Sequence, residues 1–369
     1  LTEAGITEST DTASAPKTIE VDSGTTFEAA ISQAASGDTI ALTEDATFSP
    51  FTLDEGKRLT IDLNGHTLSA TGINTTTEID GAAALTIQST GAQGTIEING
   101  LESPPKAAIE VVAGSSLTLN NVKYQTDGTG VLPREDATAV NVNNSTITAK
   151  GFCIGTNAGK ETNHNVTINL TGSTFNGTPG DDAAGTAVFI NVPGKLNITD
   201  CEIKGYWQGV FVRGGTAVIE DSEITNTYED GKYLNTYEDA WGTGNALNLA
   251  AMTVGNKGTG YPYPSDVTLR NTTLTSVGPY PALYIAANAA PENGVTIKYD
   301  NCTVVAADAE EAIVRYAVNR ENITEIGGKN GAEAETDVTE GQTSTSVSGV
   351  FQGTETGTGV DTDEGTVQI

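Results

Sequence analysis

The sequence predicts an all-β chain wound as a parallel β-helix solenoid of about eleven rungs, with a capping helix at its start. Two observations predict it. An eight-residue phrase, apolar-x-apolar-x-Asn/Asp/Gly-small-x-apolar, recurs down the chain, and its copies are spaced like turns of a coil. It reads Leu117-Leu119-Asn121-Val122-Tyr124, Val140-Val142-Asn144-Ser145-Ile147 and Ile168-Leu170-Gly172-Ser173-Phe175. It continues as Leu196-Ile198-Asp200-Cys201-Ile203, Ala217-Ile219-Asp221-Ser222-Ile224, Val267-Leu269-Asn271-Thr272-Leu274 and Ile297-Tyr299-Asn301-Cys302-Val304. Weaker copies start at Ile61 and Leu85, and successive starts lie 21 to 50 residues apart.

Each part of the phrase has a physical reading. Alternation turns one side of a strand to a core and the other to water. Asn, Asp and Gly tolerate the left-handed backbone of a sharp corner. A leucine-rich repeat would need helical or 3₁₀ segments that the pattern lacks, and an antiparallel sandwich does not require a recurring phrase. A further strand precedes most copies: Ala108–Val111, Val188–Ile190, Val210–Val212, Ala246–Leu249, Ala282–Ile285 and Ala312–Val314. At the start, Phe27, Ala30, Ile31 and Ala34 share one helical face in the run Thr26 to Ala35. Thr25 or Thr26 suits the N-cap, Ser36-Gly37 stops the helix, and Thr39–Leu42 is the next strand.

The cap phrase Phe27-Glu-Ala-Ala-Ile31 with Ser36-Gly-Asp-Thr-Ile40, and the phrase Ile61-Asp-Leu-Asn-Gly-His-Thr-Leu68, resemble the right-handed parallel β-helix proteins of the pectin-lyase-like superfamily. The second phrase looks most like the large surface and secreted β-helix proteins of bacteria. The resemblance covers about residues 18–326 and implies a right-handed coil. It implies no single activity, because members include lyases, hydrolases, adhesins and structural proteins.

A solenoid grows by repetition, so the 369 residues read as one elongated β-helix over 18–328, flanked by polar tails at 1–17 and 329–369. The tails read as linkers, or as short β-prone pieces able to add to a neighbour. The net charge of −30 arises from 48 acidic against 18 basic residues, while Thr, Ser, Asn and Gly fill the surface. That composition suits a secreted or cell-surface protein and argues against nucleic acid or an anionic membrane as partner. No run is long enough to insert in a membrane. Cys201 and Cys302 share the small repeat position, several rungs apart, so they are expected as buried free thiols, with Cys153.

No catalytic residues are assigned. The bases Lys204, Arg213, Arg270, Lys298 and Arg315 are scattered, unlike the grouped base and Ca²⁺ carboxylates of pectate-type lyases. Asp181-Asp182 resembles the adjacent aspartates of polygalacturonase-like enzymes, but the accompanying Gly-His-Gly and Arg-x-Lys are missing. His66 falls at the small repeat position and reads as structural; His164 reads as a loop residue. One region breaks the pattern: two insertions, 226–244 and 253–266, surround a strand Ala246 to Ala250. Their candidate ligand-binding residues are Trp207, Tyr228, Glu229, Asp230, Tyr237, Glu238, Asp239, Trp241, Tyr261 and Tyr263. Aromatics beside carboxylates suit sugar rings or a protein surface, and equally suit a satellite core that fastens long loops. No cofactor is expected; the acidic residues could hold Ca²⁺, though no loop motif marks it. The expected role is non-enzymatic: a structural or adhesive rod, able to form a head-to-tail filament. Its partners would be copies of itself, other surface proteins, or a polysaccharide. The alternative is a polysaccharide lyase or hydrolase, or a glycan-binding module, working at these loops.

Overall fold

The computed structural model describes residues 15–53, 55–71, 76–101, 107–136, 138–156, 165–179, 185–230, 249–255, 263–287, 294–309, 312–317, 323–326, 336–339, 342–347 and 352–353. Three long sheets run along the molecule: sheet A of 13 strands, sheet B of 10 and sheet C of 12. The chain visits B, A and C in turn, and up to Ile326 the pairings between strands of successive turns are parallel. This is a parallel β-helix.

The repeated phrase spans sheets A and C. Its first half forms sheet A strands such as Ser116–Asn120, Ala139–Asn143, Thr167–Thr171 and Lys195–Thr199. In register, Leu117, Val140, Ile168, Leu196, Ala217, Val267 and Ile297 form one column, and all are buried. The corner residue then turns the chain into sheet C. Asn121, Asn144, Gly172, Asp200, Asp221, Asn271 and Asn301 all have φ between 45° and 56°, a conformation that costs most L-residues roughly 1–2 kcal/mol. Corner side chains also join rungs: the Asn301 amide donates to Asn271 Oδ1 at 2.8 Å, and that of Asn271 to Asp221 Oδ1 at 2.9 Å. On the outer face of sheet A, Asn197 donates to Asn169 and Asn169 to Asn141, each at 2.8 Å.

The small position after the corner is an inward stack with its own bonding. Ser145, Ser173 and Ser222 each donate to the carbonyl two residues back at 2.7 Å. Each hydroxyl also accepts an N–H from the turn before it: Val122, Ser145 and Cys201, at 3.1 Å. Cys201 and Cys302 take the same place, Sγ against Thr199 O at 3.3 Å and Asp300 O at 3.5 Å. All three cysteines are free and buried.

The helix is Phe27–Gln33, with Thr26 Oγ1 accepting from Ala29 N. It is shorter than the expected Thr26–Ala35 because the Asp38 carboxylate takes the N–H groups of Ala35 and Lys17, both at 2.9 Å, drawing the chain out of helix. The weak copy at Ile61 is displaced: Leu59 pairs with Leu85, so the rung begins two residues earlier. The turn Leu63 to His66 absorbs the difference. His66 therefore leaves the small stack; its side chain is 33% exposed, 3.7 Å from Asp45. Sheet B also contains Thr52–Leu53, Thr77–Ile79, Thr129–Arg134 and Ile154–Gly155, which sequence reading did not mark.

The last rung sets an ion pair among apolar residues, Ile313 opposite Leu283 and Ile323 opposite Val295. Arg315 occupies the register position of Ile285, and Glu325 that of Ile297. The two form a two-pronged ion pair, with the Tyr299 hydroxyl donating to Glu325 Oε1 at 2.7 Å. Within the polar region 329–369, three strands are paired antiparallel, two of them with the final turn. Gln342–Val347 lies on Cys302–Ala306, Thr336–Thr339 on Gln342–Val347, and Gln352–Gly353 on Ile323–Ile326. A linker reading is corrected for these strands: Gln342–Val347 and Gln352–Gly353 add to open edges of the chain's own last rung, and Thr336–Thr339 adds to Gln342–Val347.

Candidate functional site

Corner lengths decide where loops can stand. Between sheets A and C the corner is one or two residues in most rungs, as at Asn121 between Ser116–Asn120 and Val122–Thr126. Up to Ile326 the long connections enter or leave sheet B: those between Gly177 and Val188, Asn226 and Ala250, Gly155 and Thr167, and Gly255 and Ser265 are examples. One side of the rod is therefore loop-bearing, and sheet B is its floor.

That floor changes character along its length. Its early outer face is charged, with Arg134 Nε 2.6 Å from Glu110 and Nη2 3.9 Å from Glu78. Farther on it is aromatic. Phe152 lies over Gly155, where a Cβ would collide with the ring, and stacks on Phe189 at 5.1 Å; Phe189 meets Phe211 at 4.9 Å. Phe189 and Phe211 are buried while Phe152 is half-buried.

Of the expected strand at Ala246 to Ala250 only the last two residues are described: Leu249 precedes the strand Ala250–Gly255, in which Met252 pairs with Val210 and Val254 with Val212. Residues 246–248 lie outside the described residues. That strand takes Thr253 and Val254 out of the expected second insertion and into sheet B.

An aromatic cluster roots the longest connection. Tyr228, Tyr280 and Leu249 are buried together, with Tyr206 and Trp207 packed at their margin. Tyr206 meets Tyr228 edge-on at 4.9 Å, and Tyr228 meets Tyr280 at 5.8 Å. Asn226, fully buried, organises the backbone beneath: its amide donates to the carbonyls of Tyr206 and Trp207, and its Oδ1 accepts from Tyr228 N at 3.3 Å. Tyr280 Oη donates to Asp230 O at 2.6 Å. Gly278 is required here, because a Cβ would strike the Tyr228 carbonyl. Tyr228 precedes segment 231–248 and Leu249 follows it, so the cluster holds both of its ends.

Of the candidate residues, Trp207, Tyr228 and Asp230 meet in this cluster, Asp230 through its backbone. Glu229 and Asp230 are exposed. Tyr263 stands against Gly214, outside the cluster. Tyr237, Glu238, Asp239, Trp241 and Tyr261 lie outside the described residues, as do His164, Asp181 and Asp182. Asn226, Leu249 and Tyr280 were missed; Tyr280 in Gly278-Pro-Tyr-Pro is 50 residues from the Asp230 it bonds, a distance that no local pattern spans. Among the described residues no three His, Cys, Asp or Glu side chains are grouped to hold a metal. The scattered bases find local partners: Lys298 pairs with Asp266 at 3.2 Å, Arg270 with Glu220 and Lys204 with Glu202. Burial pushes the Cys153 thiol up to about 12 and away from a nucleophile's range. No described helix is long and apolar enough to cross a membrane.

No protein-family model matches the chain, and no curated protein matches it. Among solved structures, that of PfbA, a surface adhesin of Streptococcus pneumoniae, aligns over 85% of this chain and 87% of that one. Identity is 12% and the TM-score 0.31, too low for a property of one chain to be read from the other.

Proposed function

We propose that this protein is a non-enzymatic rod of the secreted or cell-surface kind, which presents its loop-bearing side to a partner. The observation that carries the reading is the use of the distinctive aromatics. Tyr228, Tyr280 and Leu249 are spent on fastening a loop, while carboxylates Glu229 and Asp230 stand outside it. A catalytic cleft needs titratable groups converging on one point; here the described charges pair locally along the rungs. Adhesion is the finer form of this reading, and the acidic, hydroxyl-rich surface suits a solvated extracellular setting.

The test is incubation with a polysaccharide panel, following reducing ends and unsaturated products, beside binding of the same glycans and of extracellular proteins. Binding without product release is expected. Turnover that Glu229→Gln or Glu238→Gln abolishes would replace this reading with the polysaccharide-active alternative. Glycan binding is favoured by one observation, the half-buried Trp207 at the edge of the cluster. In that form, Trp241→Ala should remove binding and leave melting nearly unchanged. Against a head-to-tail filament stand the antiparallel strands that already occupy the C-terminal edges of sheets A and C. Fibres in electron micrographs of the full chain would restore it.

A further inference from the structure

Sheet A carries a neutral stretch on a chain whose net charge is −30. Its neighbouring strands Ala84–Gln88, Ser116–Asn120, Ala139–Asn143, Thr167–Thr171 and Lys195–Thr199 contain no acidic residue and one basic residue, Lys195. Charge returns in the strands on either side, with Arg58 and Asp62 before and Glu220 after. We infer that this face binds a neutral, linear polysaccharide lying along the rod. It is a different face from the loop-bearing side of sheet B, and it does not rest on what the loops bind.

The outward side chains of these strands stand in files along the rod. Register puts Thr86, Thr118, Asn141, Asn169 and Asn197 in the central file, all half-buried. The Asn169 amide donates to Asn141 Oδ1 and that of Asn197 to Asn169 Oδ1, both at 2.8 Å. In the next file the Asn143 amide donates to Asn120 Oδ1 at 2.7 Å. A carboxamide offers two donors and two acceptor positions. The ladder takes one of each from Asn169 and leaves one N–H and one lone pair for a ligand. It also holds the side chains in one arrangement, so binding does not have to order them. Sugar hydroxyls donate and accept as these groups do, and a polymer repeats them along its length. The files repeat along the rod in the same way, at about 4.8 Å per strand.

Charge and area select this occupant. A polyuronate would be repelled by the chain's net charge, and a cationic partner would find its carboxylates elsewhere on the rod. A second copy is too large a partner. The face measures about 20 Å along the rod and about 17 Å across. That is on the order of 350 Å², where a stable interface takes about 800 Å² from each partner. The five strands contain no aromatic residue, so a single sugar ring finds nothing to stack on. The hold must therefore accumulate over successive sugars, and it should grow with chain length.

The test runs the full chain through native gels cast with soluble linear glucans and mannans, beside gels cast with polygalacturonate. At least one neutral polymer should retard the chain, and polygalacturonate should not. The double variant Asn141→Asp with Asn169→Asp keeps the shape of both side chains and puts two carboxylates on the face. It should weaken the retardation about tenfold, the equivalent of one or two hydrogen bonds lost. If that variant fails to fold, Thr171→Asp, at an exposed position of the same face, takes its place with the same expectation. Long oligosaccharides should compete, and single sugars at the same sugar concentration should not. Unchanged migration in every neutral gel overturns the inference, as do equal retardation by polygalacturonate and equal competition by single sugars. Retardation that Trp241→Ala removes and the double variant does not would assign the binding to the loops; it overturns this inference and leaves the reading of the loop-bearing side standing.

Discussion

Asn271 serves two ends at once. Its backbone sits at φ 45°, and its amide links the corner before it to the corner after it. Asn271→Gly keeps the backbone and loses the links; Asn271→Ala loses both. The alanine variant should cost about 2 kcal/mol and the glycine variant about half that, read from denaturant midpoints. Asp38 and Asp62 carry the acid response of the first turns. Asp38 is held below the ordinary value by N–H donors, Lys17 before Ala35. For Asp62, burial pushes upward and is outweighed by the N–H and hydroxyl of Thr90 and the N–H of Asn64. A lowered folded-state pKa adds stability that is complete above the unfolded value of about 3.9 and is lost as pH falls through the folded value. Amide protection in Thr39–Leu42 should therefore fall below about pH 4, less steeply in Asp38→Asn, whose neutral-pH protection starts lower.

At the scale of elements, the aromatic cluster and the ion pair of the last rung are separable devices. Tyr228 is 5% exposed and holds a loop, so Tyr228→Ala should destabilise by about 3 kcal/mol. Tyr280→Phe, losing only the bond to Asp230 O, should cost about 1 kcal/mol. In both, limited proteolysis should cut first within 231–248; equal resistance in parent and Tyr228→Ala would show that the loop is held elsewhere. At the other device, Glu325→Leu strands a buried guanidinium and should cost about 3 kcal/mol or more. Adding Arg315→Leu restores the apolar pattern of Ile285 and Ile297, and most of the loss should return. A double variant no better than the single would mean that the pair is not a substitute for an apolar layer.

Over the whole molecule, a net charge of −30 on a rod implies strong self-repulsion. Melting temperature should rise as salt approaches about 0.15 M, where the screening length falls to about 8 Å; a flat calorimetric response would mean the charges are already balanced locally. The sequence by itself determined the coil. Strand period, corner residue and inward small residue recur at matching register, and each is a local requirement that a local pattern can display: Asn121 through Asn301 were legible as corners before any coordinate. The displaced rung at Leu59 was not, because two extra turn residues imitate the phrase at Ile61. Only the tertiary structure decided what depends on neighbours distant in sequence. Sheet B borders the long connections of the coil up to Ile326 because the short Asn, Asp or Gly corner joins sheets A and C in most rungs. Tyr280 meets Tyr228 across 52 positions of chain (280 less 228) because two successive turns lie side by side. Polar segments after residue 335 become strands because a parallel coil must end, and its last edge leaves N–H and C=O groups that nothing but another strand satisfies as fully.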